Sequence, residues 1–484
     1  MFNIESFFLN NKFFNYIDKL IGSYVYIILV GILSFFIWLT GFYNIDISNL
    51  LFVFVYTIIA LIFIIFAKDG KAFMPILCYI MFSFKALPDT GRLPTEFIFM
   101  ISFGALAIIL FVLKKYFIFK DVKRTLGHMN KSLLLISILL VISYLINAYI
   151  FPSKNSTNGA LFTLLCIGFT FLSILLNITS NTDSFNYKKN YVSYIFIFMQ
   201  IILILELSVS LFMSFKETGV IDYRLTNLGW GNRATYAKLA CISIIFTYFE
   251  FIKNPRKNYL LLILLVSGMI PIYLINSRGG QGAIICITLF MVVYTFYKFK
   301  KATIKMSGIF MSIGALICLI LICFPSIIDF VFERLMEEGV DPNGRDAIYK
   351  EVLTTIFNNP IKTVVGGSTT YLYDLSPIYN VNQGITFFLC HNTLISFIAT
   401  LGLLGVIAFF LHEFELIYDV YKYNKGEERT LLLVLLAYTF LLGLIDNTQF
   451  ELSFSIPLII IFANMPYTKN KYFGYKLNKS NLSI

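Results

Sequence analysis

Imidazole is scarce in this chain: histidine occurs only at positions 128, 391 and 412. His391 stands in Cys390-His391-Asn392-Thr393, where a long polar connection re-enters an apolar stretch. An imidazole titrates near neutrality, so it can take or return a proton during a reaction at physiological pH. His128, in a basic segment, and His412, at the end of an apolar stretch, have no candidate partner along the sequence and read as ordinary. Arginine supplies the second kind of chemistry. Arg278 lies in Asn276-Ser277-Arg278-Gly279-Gly280-Gln281-Gly282, a tight turn between apolar stretches, where glycine leaves room for a substrate to approach the backbone. Arg345 lies in Asp341-Pro342-Asn343-Gly344-Arg345-Asp346. A guanidinium is planar and always charged, and its fork matches phosphate and carboxylate. The set therefore reads as anion capture beside proton transfer. Glu206, inside an apolar run, is costly there and expected to pair with an arginine or face a polar cavity, without a catalytic role.

The elements that must carry these residues are membrane spans. Hydrophobic residues make up 58% of the 484 positions and charged residues 13%, about half of what a water-soluble surface needs. Apolar runs of about 18–22 residues recur throughout, each long enough for a hydrocarbon core of about 30 Å. They are continuous rather than alternating, so the spans are helical. Fourteen are expected, near 24–42, 49–67, 72–87, 94–113, 132–151, 159–178, 191–213, 234–252, 258–275, 281–297, 306–328, 388–411, 430–446 and 451–465. The expected fold class is an all-α polytopic transmembrane helical bundle, one integral membrane domain over 1–484. No cleavage site follows the first apolar run, so it is expected to stay as a span rather than be removed.

Charge orients the bundle. With both termini assigned to the cytoplasm, every inner connection is basic, as the positive-inside rule requires. The net charge of +11 is thus topology and does not point to nucleic acid. Lysine and arginine then part company. Of 29 lysines 23 fall inside, whereas six of nine arginines (Arg92, Arg224, Arg233, Arg278, Arg334 and Arg345) fall outside. Arginine collected where positive charge is disfavoured indicates an anionic substrate at the outer leaflet. The plainer alternative for any one of them is snorkelling to headgroups, or pairing with Glu333, Glu337, Glu338 or Asp341. The seven cysteines scatter through the expected spans, which argues against a disulfide framework or a zinc site.

Two outer connections stand out. The first, roughly 214–233, holds Asp222, Arg224, Trp230, Asn232 and Arg233. The second, 329–387, is long enough to demand function or structure of its own. Within it Ile348, Val352 and Ile356, with Leu353 and Phe357 beside them, predict a short amphipathic helix able to lie in the interface, closed by Asn358-Asn359-Pro360. Gly366-Gly367-Ser368 could offer backbone amides to an anion.

In order along the chain, Ser277-Arg278-Gly279-Gly280, Asn343-Gly344-Arg345, His391-Asn392 and Gly402-Leu403-Leu404-Gly405 resemble the O-antigen ligase/polymerase superfamily, lipopolysaccharide ligases and Wzy-type polymerases of O-antigens and capsules. The motifs are short and span about residues 220–410; the first half matches only as apolar spans. The resemblance implies a glycosyltransferase using a polyprenyl-diphosphate-linked glycan donor at the outer face of the cytoplasmic membrane. Carried over by position, Arg278 and Arg345 resemble the family's donor-diphosphate arginines and His391 its histidine. Arg233 and Arg224 are secondary substrate-binding candidates, since Asn232-Arg233-Ala234 is a looser match, and Trp230, Tyr371 and Tyr373 are candidates for stacking on sugar faces.

The expected partners are the lipid-linked donor, a glycan or envelope acceptor, membrane lipid and a chain-length regulator. No cofactor and no metal are expected: arginines can meet the leaving charge, and the outer connections carry no DxD-type acidic pair. The length and number of spans favour a polymerase over a ligase. The competing class is a lipid-linked oligosaccharide flippase. A transporter is expected to show internal repeats and charges near the midplane, whereas charge here concentrates at the outer surface.

Overall fold

The computed structural model describes residues 11–83, 95–119, 126–180, 191–219, 229, 233–255, 257–274, 278–299, 345–379, 390–446, 448 and 451–463. Among them every regular element is helical. We number the α-helices α1 (Lys12–Ile21), α2 (Tyr24–Thr40), α3 (Ile45–Phe66), α4 (Met74–Ile80), α5 (Thr95–Lys114), α6 (His128–Ile150), α7 (Ser156–Thr179), α8 (Tyr191–Thr218) and α9 (Arg233–Lys253). Then follow α10 (Tyr259–Leu274), α11 (Arg278–Lys298), α12 (Arg345–Phe357), α13 (Pro360–Val365), α14 (Ser368–Tyr379), α15 (Thr393–Tyr423), α16 (Gly426–Ile445) and α17 (Leu452–Phe462). Asn44, Asn359 and Asn392 each cap a helix start with a side-chain oxygen, on α3, α13 and α15.

Nine of the described helices are long and apolar enough to cross a membrane, ten if the bent pair α1–α2 (63°) counts as one span. That is fewer than the fourteen expected from the sequence. Within the described residues, the stretches at 72–87, 258–275 and 451–465 give short apolar helices, and α10 and α17 each carry a proline. The expected span at 306–328 lies outside the described residues. Basic side chains close several helices at the ends expected to face inward. Lys114 Nζ donates to the carbonyls of Ile64, Ile65 and Ala67, Lys115 to Thr179, and Lys298 to Ile252. Each ammonium meets the partially negative end of a helix.

Helix α9 is the centre of the bundle: residues 235–252 are all buried. Its sequence is polar for a membrane helix, and lipid would leave those groups unsatisfied. Inside the protein they find partners. Tyr236 Oη donates to Leu203 O at 2.7 Å, Tyr248 Oη to Met291 O at 2.8 Å, and Thr247 bonds Gln200. The backbone of α9 is held in turn, as Tyr438 Oη of α16 donates to Lys238 O at 3.1 Å.

The described part of the long connection folds onto the bundle. Ile348, Val352 and Ile356 of α12 are buried against Leu372 and Leu375 of α14 and Ile398 and Ala399 of α15. The amphipathic helix expected to lie in the interface therefore docks its apolar face on protein. Helix α15 breaks at Gly402, which has φ 59°. Into the break fits Gly366: Gly367 N–H donates to Ala399 O at 2.8 Å, and Asn147 of α6 bonds Gly366 O. Ser143 Oγ takes the freed Thr400 carbonyl. The amides of Gly366 and Gly367 are thus committed to structural bonds, which corrects the expectation that they approach an anion. A Cβ on Gly402 would lie 2.6 Å from Thr363 O and 2.7 Å from Gly366 N. Gly402→Ala is expected to cost about 2–4 kcal/mol, read as a lower thermal midpoint of the purified protein in detergent; an unchanged midpoint would refute this role for the break.

Candidate functional site

The connection between α16 and α17 gathers the ends of four other helices. Asn392, which caps α15, donates to Leu444 O at 2.7 Å. Arg345, the first residue of α12, donates from Nη1 to Ile445 O at 2.8 Å. Gly279, in the first turn of α11, sits so that a Cβ there would lie 3.5 Å from Ile445 Cδ1. From the first turn and a half of α9, Thr235 bonds Glu451, and Lys238 Nζ reaches both Asp446 Oδ2, at 2.9 Å, and Glu451. Each of these helices presents its N-terminus, the end that carries partial positive charge and unused N–H groups. The arrangement favours an anion.

His391 lies on the open side of this junction. Its backbone has φ 49°, in the left-handed region that residues with a side chain seldom enter. Three bonds keep it there. Its carbonyl accepts from Tyr349 Oη at 3.2 Å, the next residue caps α15, and its Nδ1 lies 3.3 Å from Asp446 Oδ1. Backbone strain of this kind persists only where the surroundings over-determine it. With Nδ1–H donated to Asp446, Nε2 carries the lone pair, and a side chain 43% exposed can offer it to a hydroxyl. The Tyr349 hydroxyl, raised above its usual range chiefly by burial and pulled back by Arg345, stays protonated and serves as a donor. The Cys390 thiol beside His391 is pushed up to about 12 by burial, so it is not a nucleophile at neutral pH.

Of the residues named from sequence, His391, Arg345 and the turn of α11 that begins with Arg278 come together around Ile445–Asp446. Arg233 opens α9, the helix that carries Lys238. Arg224 and Trp230 lie outside the described residues, as do Glu333, Glu337, Glu338 and Asp341. Tyr371 is buried against Gly367 and its ring is not open to a sugar. Glu206 is fully buried and accepts the Gly229 N–H at 3.0 Å; it ties the first outer connection to α8 instead of meeting an arginine. Two histidines read as ordinary do have partners at the other end of the bundle. His128 Nδ1 lies 2.6 Å from Asp419 Oδ1, and His412 Nδ1 lies 2.8 Å from Ser132 Oγ.

Lys238, Asp446 and Glu451 escaped the sequence reading. Lys238 carries the signal that singled out Glu206, a charge inside an apolar run. Asp446 and Glu451, five positions apart, sit at the facing ends of two apolar runs, which looks like an ordinary short connection.

Residues 259–410 match a family model described as O-Antigen ligase. The match takes in Arg278, Arg345 and His391 and leaves Lys238, Asp446 and Glu451 outside. No curated protein matches the chain.

A thiol with a raised pKa stays protonated below it and gains reactivity only as pH climbs toward it. Cys390 is therefore expected to resist maleimide at pH 7–8 in the folded protein and to label after denaturation, read by peptide mass mapping. Rapid labelling of native protein at pH 7 would contradict the burial.

Proposed function

From the membership of this chain in the O-antigen ligase/polymerase superfamily, carried by residues 259–410, we propose that it is a glycosyltransferase that moves a glycan from a polyprenyl-diphosphate-linked donor to a sugar hydroxyl at the outer face of the cytoplasmic membrane. The finer reading is a polymerase, whose acceptor is itself a lipid-linked repeat unit of a surface polysaccharide. The observation that supports the site is the meeting of Arg345, the α11 start and His391 on Ile445 and Asp446.

The chemistry follows from charge. Transfer forms a bond from the acceptor oxygen to the anomeric carbon and breaks the bond from that carbon to the diphosphate. The electron pair leaves with the diphosphate. Arg345 donates to a neutral carbonyl, so its positive charge is not spent on a carboxylate there. That guanidinium, Arg278 and the N-terminus of α11 would meet the charge that grows on the leaving group. The acceptor hydroxyl proton would pass to His391 Nε2, and Asp446 would hold the imidazole oriented and favour the imidazolium once formed. Release of the proton to water or to the departing diphosphate returns the base.

His391→Ala, Arg278→Ala and Arg345→Ala, at equal membrane levels, are each expected to lower transfer from a labelled lipid-linked repeat unit by about 10²–10⁴-fold. Purified wild type should give a ladder of products. Transfer to a separate envelope acceptor without self-extension would replace the polymerase by a ligase. Movement of the lipid across a vesicle bilayer without any transfer would overturn the enzyme reading.

A further inference from the structure

Asp446 divides its two oxygens. Oδ1 faces His391 Nδ1 at 3.3 Å and Oδ2 faces Lys238 Nζ at 2.9 Å. The lysine is the buried end of this chain of groups, with a side chain 4% exposed against 18% for Asp446. It also pairs with Glu451, whose second oxygen is held by Thr235 Oγ1. One ammonium therefore holds two carboxylates. A lone lysine beside Asp446 would cancel the charge that the imidazole needs to feel. The second carboxylate offsets that loss, so these three groups between them sum to one negative charge. When His391 takes a proton, the cluster of Lys238, Asp446, Glu451 and His391 becomes neutral.

We propose that Lys238 and Glu451 are positioning residues for the His391 base: Lys238 fixes the rotation of Asp446 so that Oδ1 meets the imidazole, and Glu451 offsets the ammonium so that Asp446 keeps its negative charge toward His391. The inference rests on the transfer reaction proposed above. Neither residue touches the acceptor or donor in this scheme; both act through Asp446. Among the described side chains, Tyr349 of α12 bonds the His391 carbonyl, Arg345 of the same helix bonds Ile445 O beside Asp446, and Cys390 adjoins the histidine in the chain. All of these stay unchanged in the variants below, so the two substitutions alter charge on the far side of Asp446 alone.

The test reads kcat, donor KM and the acidic limb of the kcat–pH profile for Lys238→Met, Glu451→Gln and the double variant, using a labelled lipid-linked repeat unit. Loss of a positive charge near the base should move the limb to higher pH. Loss of a negative charge should move it to lower pH. Each shift is expected to be about half a pH unit or more, given unit charges roughly 6–8 Å away at an effective dielectric near 20. The double variant should return the limb toward the wild-type position, and donor KM should stay within about twofold throughout. Shifts of the same sign, an unmoved limb, or a loss confined to KM would overturn the proposal, since a merely structural role gives no opposite pair. If Lys238→Met does not fold, Glu451→Gln alone carries the sign of the shift, and a limb that stays put or rises overturns the proposal. Absence of transfer by wild type itself would instead refute the reaction on which the proposal stands.

Discussion

A lysine that is the sixth residue of a membrane helix, as Lys238 is of α9, cannot be left facing hydrocarbon. On insertion scales a charge at the centre of a span costs about 3 kcal/mol, and a buried ion pair broken on one side costs about 3–5 kcal/mol. Lys238 escapes the first cost by meeting Asp446 and Glu451, and those carboxylates escape the second by meeting Lys238. The consequence reaches beyond the cluster. Because both carboxylates belong to the connection between α16 and α17, that connection is drawn against α9 and held there. Its neighbours then inherit fixed positions: the Ile445 carbonyl for Arg345, the Leu444 carbonyl for Asn392, and the Thr448 hydroxyl and amide for Thr393.

The other support of the site is steric. Helix α15 bears the His391 stretch at its start, and its direction there depends on the break at Gly402, where the backbone takes φ 59° and Gly366 enters. Without a side chain at either glycine, α13 can approach the freed carbonyls closely, and α6 supplies Ser143 and Asn147 to satisfy what the break exposes. That docking sets α12 through the short turn at Asn358–Asn359, and α12 carries Arg345 and Tyr349. The arginine and the histidine are thus positioned through two routes that meet at residues 444–446 and again where Tyr349 of α12 bonds the His391 carbonyl. A site built this way tolerates an open mouth, because the precision lies in the buried supports.

What the sequence made legible follows from which constraints are local. Apolar runs are local, so most helices appear close to where the runs lie, and Ile348, Val352 and Ile356 foretold α12 by their spacing. Whether a run is long enough to span is less local: Pro271 and Pro457 sit inside runs that read as spans yet form short helices. The candidate residues Arg278, Arg345 and His391 were visible because their types are rare or misplaced for their side of the membrane. Their support was not. Lys238 finds Glu451 across 213 residues and His128 finds Asp419 across 291. No spacing rule reaches that far. The glycine motif at 402–405 was legible as a motif, but its reason, a helix break filled by Gly366, exists only in three dimensions.

The junction on residues 444–446 also divides its charges. In the proposed transfer, a group that binds a diphosphate and later releases it cannot be neutralised by a permanent carboxylate, nor can it be left without a hold. Arg345 meets both demands by donating to the Ile445 carbonyl, a neutral acceptor that orients the guanidinium and leaves its charge. The Asp446 carboxylate is kept one residue further along and turned the other way, toward Lys238 and His391. In the proposed transfer, arginine with a carbonyl would face the anion, while carboxylate with lysine and imidazole would face the proton. Anchoring both on adjacent residues, Ile445 at the end of α16 and Asp446 just after it, would keep opposite charges close enough to act on one bond and apart enough not to cancel.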